Sequence, residues 1–354
     1  MDHKKLKEVP SEYHMMGGDG PHSYAQNSDY QRQLVMTSEG LIREVITEHM
    51  DTSSFHTIRI ADLGSSVGPN AFLAAQNIIS AIKAKCESTK KRVPEFHVFF
   101  NDLPSNDFNT LFRNLPRDRG YFACGSPGTF HRRLLPRKTV HLAHCSTALH
   151  WLSRVPDGVG EKGSVHYSGA GNEVKRAYRE QYEVDMRAFL NSRAEELVPG
   201  GIMLLLVLGF PDGEVLSESG IGVAFQILGS CLRHMVKMGK LSEDKVDSFN
   251  LPFYYPSLSE LKTLIEANGL FHIERMTNLG GAMRCKPDPK ALTWHLRVVI
   301  GGLIEKHFGI SGSGIVMDEL FRLYFQKLLR SPILVDEKYY KETNYFLFLK
   351  RKAC

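Results

Sequence analysis

The hydrophobic positions of this chain follow two patterns, which predict alternating strands and helices. Short apolar runs of strand length lie at 58–63, 96–100, 140–145 and 202–208. After the first run, Phe72, Ala75, Ile79 and Ile82 recur at spacings of three and four residues, which places them on one face of a helix. Strands that alternate with helices predict an α/β fold built on an open, mostly parallel sheet.

The junction at the end of the first predicted strand is the most informative local pattern. The strand breaks at Gly64 and Gly68, and Pro69 stands where the first turn of a helix accepts it. Such a strand, glycine turn and helix directs backbone N–H groups at a ligand that approaches closely. Many α/β turns contain two glycines, so this pattern alone does not identify a cofactor.

Two acidic residues narrow the choice of cofactor. Asp62 lies inside the end of the first strand, and Asp102 ends the second strand, where a carboxylate can accept both hydroxyls of a ribose. The turn lacks the G-x-G-x-x-G spacing of nicotinamide-binding proteins. The pattern favours S-adenosylmethionine, because its sulfonium cation needs acidic and apolar walls rather than a phosphate site.

The second half of the chain departs from strict alternation. Residues 215–240, 258–265 and 288–330 predict helices, whereas 271–275 and 345–349 predict strands that return to the sheet. This is more helix than the sheet needs, so we predict a helical cap over the strand ends. Glycine and polar residues at 161–171 predict a surface loop, followed by a helix at 172–197.

We therefore predict a single domain over residues 1–354 with a Rossmann-like sheet and an α-helical cap over the active site. Its predicted parts are an N-terminal lid, a cofactor-binding core, a largely helical cap and a closing strand, at 1–35, 55–210, 211–340 and 341–354. The polar N-terminal stretch is compatible with a disordered tail or a lid. Hydrogen-bonding side chains at Tyr24, Ser28 and Gln31 favour the lid, and the apolar pattern places the start of the next helix near Leu34.

The composition is ordinary for a globular protein and limits the kinds of partner that we expect. Of 354 residues, 42% are hydrophobic and 23% charged, and the net charge is +5. The chain contains no dense basic run with interleaved aromatics, so the sequence does not predict nucleic-acid binding. The apolar run 202–210 is far shorter than the ~20 residues of a membrane-spanning helix, and residues 1–7 lack the apolar centre of a signal peptide. The cysteines form no C-x-x-C pair, so we predict a cytoplasmic protein without a membrane partner.

Histidine and tryptophan positions offer two further interpretations. His141, His144 and His150 lie close in sequence, but strand residues three apart face opposite sides of a sheet, which argues against a shared zinc ion. Trp151 follows a strand end at the predicted crevice. It is either a core residue or, together with an amide such as Gln31, part of a clamp for a carboxylate.

With these residues in place, the chain closely resembles the plant methyltransferases of the SABATH family, named for salicylate, benzoate and theobromine enzymes. The resemblance extends over nearly the whole chain. It rests on the segments MMGGDG at 15–20, SYAQNS at 23–28, ADLGSSVGPN at 61–70, FNDLPSNDFN at 100–109, SPGTF at 126–130 and HWLS at 150–153.

The resemblance implies a site for each ligand. It implies that S-adenosylmethionine is bound by Tyr24, Ser28, Ser65, Asn70, Asp102, Leu103, Thr129 and Phe130, with Cys145 and Ser146 nearby. It also implies that Gln31 and Trp151 bind the carboxylate of the substrate, that Thr147 and His150 shape the acceptor pocket, and that the protein is a homodimer.

The chain departs from the family pattern at several positions. Ser65 replaces a usual cysteine, and Thr129 and His131 replace a common serine and tyrosine. Thr147 replaces a frequent tyrosine, which leaves the identity of the acid open.

A magnesium ion is bound by some family members near a D-x-F-N sequence, which matches Asp247-Ser248-Phe249-Asn250. Glu161 stands where an asparagine is expected, so the predicted magnesium site would use Glu161, Asp247, Phe249 and Asn250, and a structural turn is the competing interpretation.

We predict a carboxyl methyltransferase that converts the carboxylate of a small plant-metabolite or hormone acid into a methyl ester and S-adenosylhomocysteine. A carboxyl group titrates near pH ~4, so its oxygen is already ionised and needs no general base. Two alternatives stay open: methylation of a ring nitrogen of a xanthine, as in the caffeine-pathway relatives, and a non-catalytic protein that binds the cofactor.

Overall fold

The computed structural model describes residues 15–52, 55–159, 163–280, 288–310, 313–339 and 343–353. Its strands are β1 (Thr57–Leu63), β2 (Glu95–Asp102), β3 (Phe122–Pro127), β4 (Val140–Ser146), β5 (Leu197–Gly209), β6 (Phe271–Asn278) and β7 (Thr343–Arg351). Its α-helices are α1 (Asp29–His49), α2 (Pro69–Ser88), α3 (Phe108–Arg113), α4 (Asn172–Glu196), α5 (Gly220–Lys237), α6 (Glu243–Ser248), α7 (Leu258–Asn268), α8 (Pro289–Phe308) and α9 (Gly314–Leu328).

The strands form one seven-stranded sheet in the order β3-β2-β1-β4-β5-β7-β6. The first five are parallel to one another, and β7 runs antiparallel between β5 and β6. The strand order reverses at β1, between β2 and β4. In open α/β sheets the ligand crevice lies outside the carboxyl ends of the strands at such a point.

The sheet separates two hydrophobic cores. One core packs α1 and α2 against β1, β2 and the facing side chains of β5 and β7. The other packs α4 and α7 against the opposite face and continues without a break into α5, α8 and α9. Helices α5, α8 and α9 therefore share a core with the sheet and are held to it by buried apolar contact.

Two local predictions were wrong. Helix α1 begins at Asp29 and not near Leu34, because its first turn is polar and Leu34 is only its first buried residue. The segment 163–170 is not a surface loop: Val165, His166, Tyr167 and Ser168 are buried. Glycine and polar residues there suggested exposure, but internal hydrogen bonds satisfy the polar groups, including one from Ser164 Oγ to the His166 carbonyl at 2.7 Å.

The predicted strands near 271–275 and 345–349 are confirmed as β6 and β7, and the helix predicted at 172–197 is confirmed as α4. No helix within the described ranges has the length and apolar character that crossing a membrane requires.

A buried ion pair fixes the segment between β3 and β4 to the end of α4. Arg193 and Glu196 have side chains only 1% exposed, and their Nη2 and Oε1 atoms lie 2.9 Å apart. Arg193 also donates to the carbonyls of Phe130 and Arg132, and Glu196 accepts from the Leu135 N–H. This pair holds the loop that carries Phe130.

We expect Arg193→Met to reduce the free energy of unfolding by about 3 to 5 kcal/mol, because it leaves a buried carboxylate without its counter-charge. Urea unfolding followed by circular dichroism measures this. The control is Arg176→Met, which removes an exposed pair with Glu180 at 3.8 Å and should change stability by about 0.5 kcal/mol or less. Equal losses of unfolding free energy in the two variants would show that the buried Arg193–Glu196 pair contributes no more than an exposed pair.

Candidate active site

The carboxyl ends of β1 and β2 are joined by backbone hydrogen bonds that shape a cleft. The N–H groups of Gly64 and Ser65 both donate to the Asn101 carbonyl at 2.9 Å. Gly64 has a φ of +78°, and a Cβ atom at this position would lie 2.6 Å from the Cβ of Ala148. Only glycine fits this turn, which brings the β1 end and the β4 end together.

Asp102 connects the turns that follow β1 and β2. Its carboxylate accepts hydrogen bonds from the Ser66 N–H at 2.7 Å and the Leu103 N–H at 2.8 Å. Desolvation raises the pKa of Asp102 to about 6, although these two bonds lower it. Burial and the Asp102 charge also raise the pKa of Tyr24, so its hydroxyl stays protonated.

Asn101 positions the loop that follows β3. Its side-chain amide donates to the carbonyls of Ser126 at 2.6 Å and Gly128 at 2.9 Å. The Gly128 N–H donates a hydrogen bond to the Asp102 carbonyl at 2.9 Å. Thr129 and Phe130 are thereby placed beside the ends of β1 and β2.

The cleft has two adjoining parts, and both contain predicted residues. The Asp102 part is lined by Tyr24, Asp102, Leu103, Thr129, Phe130, Ser146, Thr147 and Trp151, among others. The Asp62 part is lined by Tyr24, Gln31, Asp62, Ser65, Asn70, His144, Ser146 and Thr147, among others. Because Tyr24, Gly64, Ser146 and Thr147 line both, the two parts meet.

Three predicted residues lie behind the lining. Ser28 accepts a hydrogen bond at its Oγ from the Asn70 side chain at 3.0 Å. Cys145 is fully buried. His150 is buried with its ring stacked on Tyr255 at 5.7 Å, and burial lowers its pKa to about 3. His150 is therefore neutral at physiological pH.

The loop that carries Trp151 pairs with a second loop, which carries Phe253. Trp151 forms an isolated antiparallel bridge with Phe253, and its ring meets the Phe253 ring edge-on at 4.4 Å. The Leu152 N–H donates to the Pro252 carbonyl at 2.8 Å. Ser153 donates from both its N–H and its hydroxyl to the buried Asp185 carboxylate. Trp151 thus lies on a rigid support.

His166 belongs to the same support, and no sequence pattern indicated its role. Its Nε2 lies 3.2 Å from the Phe253 carbonyl, and its Nδ1 accepts from the Ser168 N–H. Burial lowers its pKa to about 3, so it donates as a neutral imidazole. Because this segment was predicted to be a surface loop, His166 was not considered as a buried residue.

The turn after β1 also has the form of a hydrolase nucleophile elbow. Gly64-Ser65-Ser66-Val67-Gly68 matches G-x-S-x-G between a strand and a helix, and Ser66 has a φ of +51°. Its hydroxyl has no hydrogen-bond partner among the described residues, so no base is in place to activate it. The strained turn instead directs the Ser66 N–H to Asp102.

His141 and His144 face different partners and do not converge on a shared metal site. His141 Nδ1 accepts from the Arg59 N–H, whereas His144 Nδ1 lies 2.7 Å from Asp62 Oδ1. Residues 15–52, 55–159, 163–280, 288–310, 313–339 and 343–353 contain no group of three His, Cys, Asp or Glu side chains that could hold a metal.

The magnesium site at Glu161, Asp247, Phe249 and Asn250 stays a prediction. Glu161 lies outside the described residues, and Asp247 and Asn250 are half-buried. The Phe249 ring packs on Phe308 at 5.4 Å, so this residue could contribute only its backbone carbonyl. Arg233 donates to the Gly163 carbonyl, which places a guanidinium beside the segment that should supply the remaining ligand.

The sheet order and the cleft at the ends of β1, β2 and β4 define a Rossmann-like methyltransferase fold. The sequence profile of the family described as "SAM dependent carboxyl methyltransferase" matches residues 10–352, and this chain belongs to that family. The family resemblance and the fold class predicted from the motifs are both confirmed.

Individual relatives agree with this assignment. Loganic acid O-methyltransferase of Catharanthus roseus is 41% identical over alignments that cover 96% of this chain and 94% of the relative. Paraxanthine methyltransferase 2 of Arabidopsis thaliana is 38% identical over 87% of this chain and 90% of its own. A solved structure of loganic acid methyltransferase with SAH superposes with a TM-score of 0.90 at 40% identity, covering 96% of this chain and 98% of that one. The methyl donor of this enzyme is S-adenosylmethionine.

We expect the affinity for S-adenosylhomocysteine to fall as the pH drops through about 6, because the raised pKa of Asp102 lets its carboxyl take up a proton there. Asp102→Asn should weaken binding at neutral pH by about 1.5 to 3 kcal/mol and should lack this pH dependence. Calorimetry across this pH range checks both statements. An affinity that is constant in the wild type, or that falls equally in the variant, would show that Asp102 does not contact the ligand.

Proposed function

We propose that the enzyme transfers the methyl group directly to the carboxylate oxygen of a small acid, with Gln31 and Trp151 holding the acceptor. The observation that carries this proposal is the lining of the cleft. Asp102 and Trp151 line one part, and Gln31 lines the part that adjoins it. A donor held by Asp102 and an acid held by Trp151 would therefore share one space.

The donor would lie along the loops that β1, β2 and β3 present. Asp102 would accept the ribose hydroxyls, since a carboxylate has lone pairs beyond the two that backbone N–H groups occupy. Leu103, Thr129 and Phe130 would flank the adenine, and Tyr24, Ser65, Asn70 and Ser146 would line the remainder. Ser28 would act through Asn70, and Cys145 from behind Ser146.

The chemistry would be a displacement in line with the sulfonium. A bond forms between the carboxylate oxygen and the methyl carbon, the bond from that carbon to sulfur breaks, and its electron pair stays on sulfur. The products are a methyl ester and S-adenosylhomocysteine. Because the carboxylate is already ionised, catalysis would consist of orientation in a dry pocket, which supplies up to about 7 to 11 kcal/mol.

Thr147 sets the size of the acceptor. It lines both parts of the cleft and has a φ of +52°, which is unusual for a β-branched residue. A short side chain here, in place of an aromatic wall, leaves room for an acid larger or less flat than salicylate. His150 supports this region from behind, next to Phe253 and Tyr255.

We expect Thr147→Tyr to shift the ranking of kcat/KM values toward small benzoates, because the larger side chain fills the space beside Trp151. Tyrosine is not β-branched, so the left-handed backbone tolerates it better than threonine. A panel of acids from benzoates to bulky terpenoid acids measures the shift, and Thr147→Ser, which keeps a short hydroxyl side chain, serves as the control. An unaltered ranking would show that position 147 does not touch the acceptor.

Methylation of a ring nitrogen is the alternative that the relatives raise, because one of them is named for paraxanthine. A xanthine N–H must lose a proton during transfer, whereas a carboxylate has none to lose. The two reactions therefore differ in their dependence on pH.

We expect Gln31→Ala to weaken acceptor use by about 1.5 to 3 kcal/mol, because a charge-assisted hydrogen bond to the carboxylate is lost. Gln33→Ala, an exposed change on the same helix, is the control. With the donor saturating, the single-turnover rate should be flat from about pH 6 to about pH 9, since His150 stays neutral and the acid stays ionised. A rate that rises about tenfold per pH unit through neutrality would favour the nitrogen acceptor.

A homodimer, a cytoplasmic location, and the absence of nucleic-acid and membrane partners stay predictions. The described cysteines at 86, 124, 145 and 231 are free thiols, which supports a reducing compartment. Light scattering on the purified protein measures the oligomeric state.

A further inference from the structure

A pocket between α8 and α9 lies outside the cleft, and the proposed reaction does not use it. Its volume is about 450 Å³, which is in the range of small-molecule sites. Helices α8 and α9 supply most of its wall, and His22 completes the wall from the N-terminal segment. The pocket shares no lining residue with either part of the cleft.

Three aromatic rings give this pocket an apolar wall. They belong to Trp294, Phe321 and Phe325. The His22 ring stacks on the Trp294 ring, with centroids 4.3 Å apart and planes inclined by 20°. Phe321 is only 3% exposed, whereas Trp294 and Phe325 are half-buried. The two half-buried rings leave apolar surface that the ring of a ligand can cover.

Cationic side chains surround the rings. Lys290, Arg297 and Arg322 line the pocket, and the lining carboxylate among the described residues is that of Asp318. Arg322 approaches Glu319, which lies outside the lining, only to 3.7 Å. Three cations against one carboxylate give the pocket a positive potential, which favours an anion.

Arg297 is the cation that the fold holds most firmly. Its side chain is 15% exposed, and its guanidinium carbon lies 5.1 Å from the centre of the Trp294 ring and 5.7 Å from that of Phe321. Its Nη2 pairs with Asp318 Oδ1 at 2.6 Å, but its Nε is buried without a hydrogen-bond partner among the described residues. A guanidinium has five N–H donors in one plane, so Asp318 does not exhaust those of Arg297.

We propose that this pocket is a second ligand site, which takes a small aromatic anion. Basic side chains on a helix surface are commonly no more than a solvated face, but a fixed arginine beside half-buried rings is a different arrangement. Arg297 and Arg322 bind the carboxylate or phosphate group of the ligand, since both groups match the planar donors of arginine. The ring of the ligand packs on Trp294 and Phe325. This role is independent of methyl transfer.

The positions of the tryptophans allow the pocket to be measured by itself. The chain has two tryptophans, Trp151 in the cleft and Trp294 in the pocket. In the full-length Trp151→Phe variant, tryptophan fluorescence therefore comes from the pocket alone. We expect phenyl phosphate and benzoate to change this emission saturably. The tighter of the two identifies the natural ligand as a phosphate ester or as a carboxylate.

Two competitors test whether both the ring and the charge are needed. Inorganic phosphate lacks the ring, and benzyl alcohol lacks the charge. Each should displace phenyl phosphate only at concentrations at least about tenfold higher than phenyl phosphate itself requires. Equal affinities of phenyl phosphate and inorganic phosphate would show an unspecific basic patch and overturn the proposal.

Arg322→Gln in the same variant should weaken the binding of phenyl phosphate by about tenfold. Arg330→Gln is the matched control, because Arg330 is also exposed but follows the end of α9, outside the lining. It should leave the affinity unchanged. Equal losses in the two variants would place the anion elsewhere and overturn the proposal, as would an emission that neither aromatic anion changes.

Calorimetry of phenyl phosphate on the wild-type chain, with and without Arg322→Gln, gives the same comparison if Trp151→Phe fails to fold. Binding that is absent, or that Arg322→Gln does not weaken, would overturn the second site. Methyl transfer in the cleft would be unaffected by that result.

Discussion

The Asp102 carboxylate is the interaction on which the cleft depends. It accepts the N–H of Ser66 from the turn after β1 and the N–H of Leu103 from the turn after β2. Both turns expose backbone N–H groups that do not pair with a neighbouring strand. The Asp102 carboxylate accepts a hydrogen bond from one such N–H in each turn. The cleft at the ends of β1 and β2 is therefore assembled without a ligand, and desolvation of Asp102 opposes that assembly.

The side of the cleft that carries Trp151 is held by a different kind of interaction. Trp151 and Phe253 lie on paired loops, and the carbonyls of Pro252 and Phe253 are bound by Leu152 and His166. Asp185 fixes Ser153 from the helix below. Neutral imidazoles and aromatic rings suit this region, because a charged group buried there would require its own counter-ion. The wall is rigid, and under the proposed function substrate choice would rest on side chains such as Thr147.

Much of the fold followed from the sequence, because strand length, helix period and the glycine turn are local properties. The start of α1 did not, since its polar first turn has no apolar periodicity to mark it. His166 was missed because burial of a glycine-rich segment depends on partners elsewhere in the chain. They are Tyr178 in the next helix, and Phe225 and Phe253, which lie about 60 and about 90 residues farther along the chain.

The site was predictable only in part for the same reason. Asp102 stood out because it ends a strand, and Gln31 and Trp151 came from the family resemblance. The partnership of Asp62 with His144 follows from the register between β1 and β4, which no single-sequence pattern reveals. The strain at Ser66 is likewise a property of the folded turn.

The position of β7 has a consequence for synthesis of the protein. This strand follows the other six in chain order, yet it occupies an interior place between β5 and β6. While the ribosome is still translating the segment before β7, β5 presents one unpaired edge along its apolar residues, and β6 has no neighbour to join. The newly made chain therefore carries an unpaired strand edge until β7 has left the ribosome, which exposes it to aggregation or to chaperone binding in that interval.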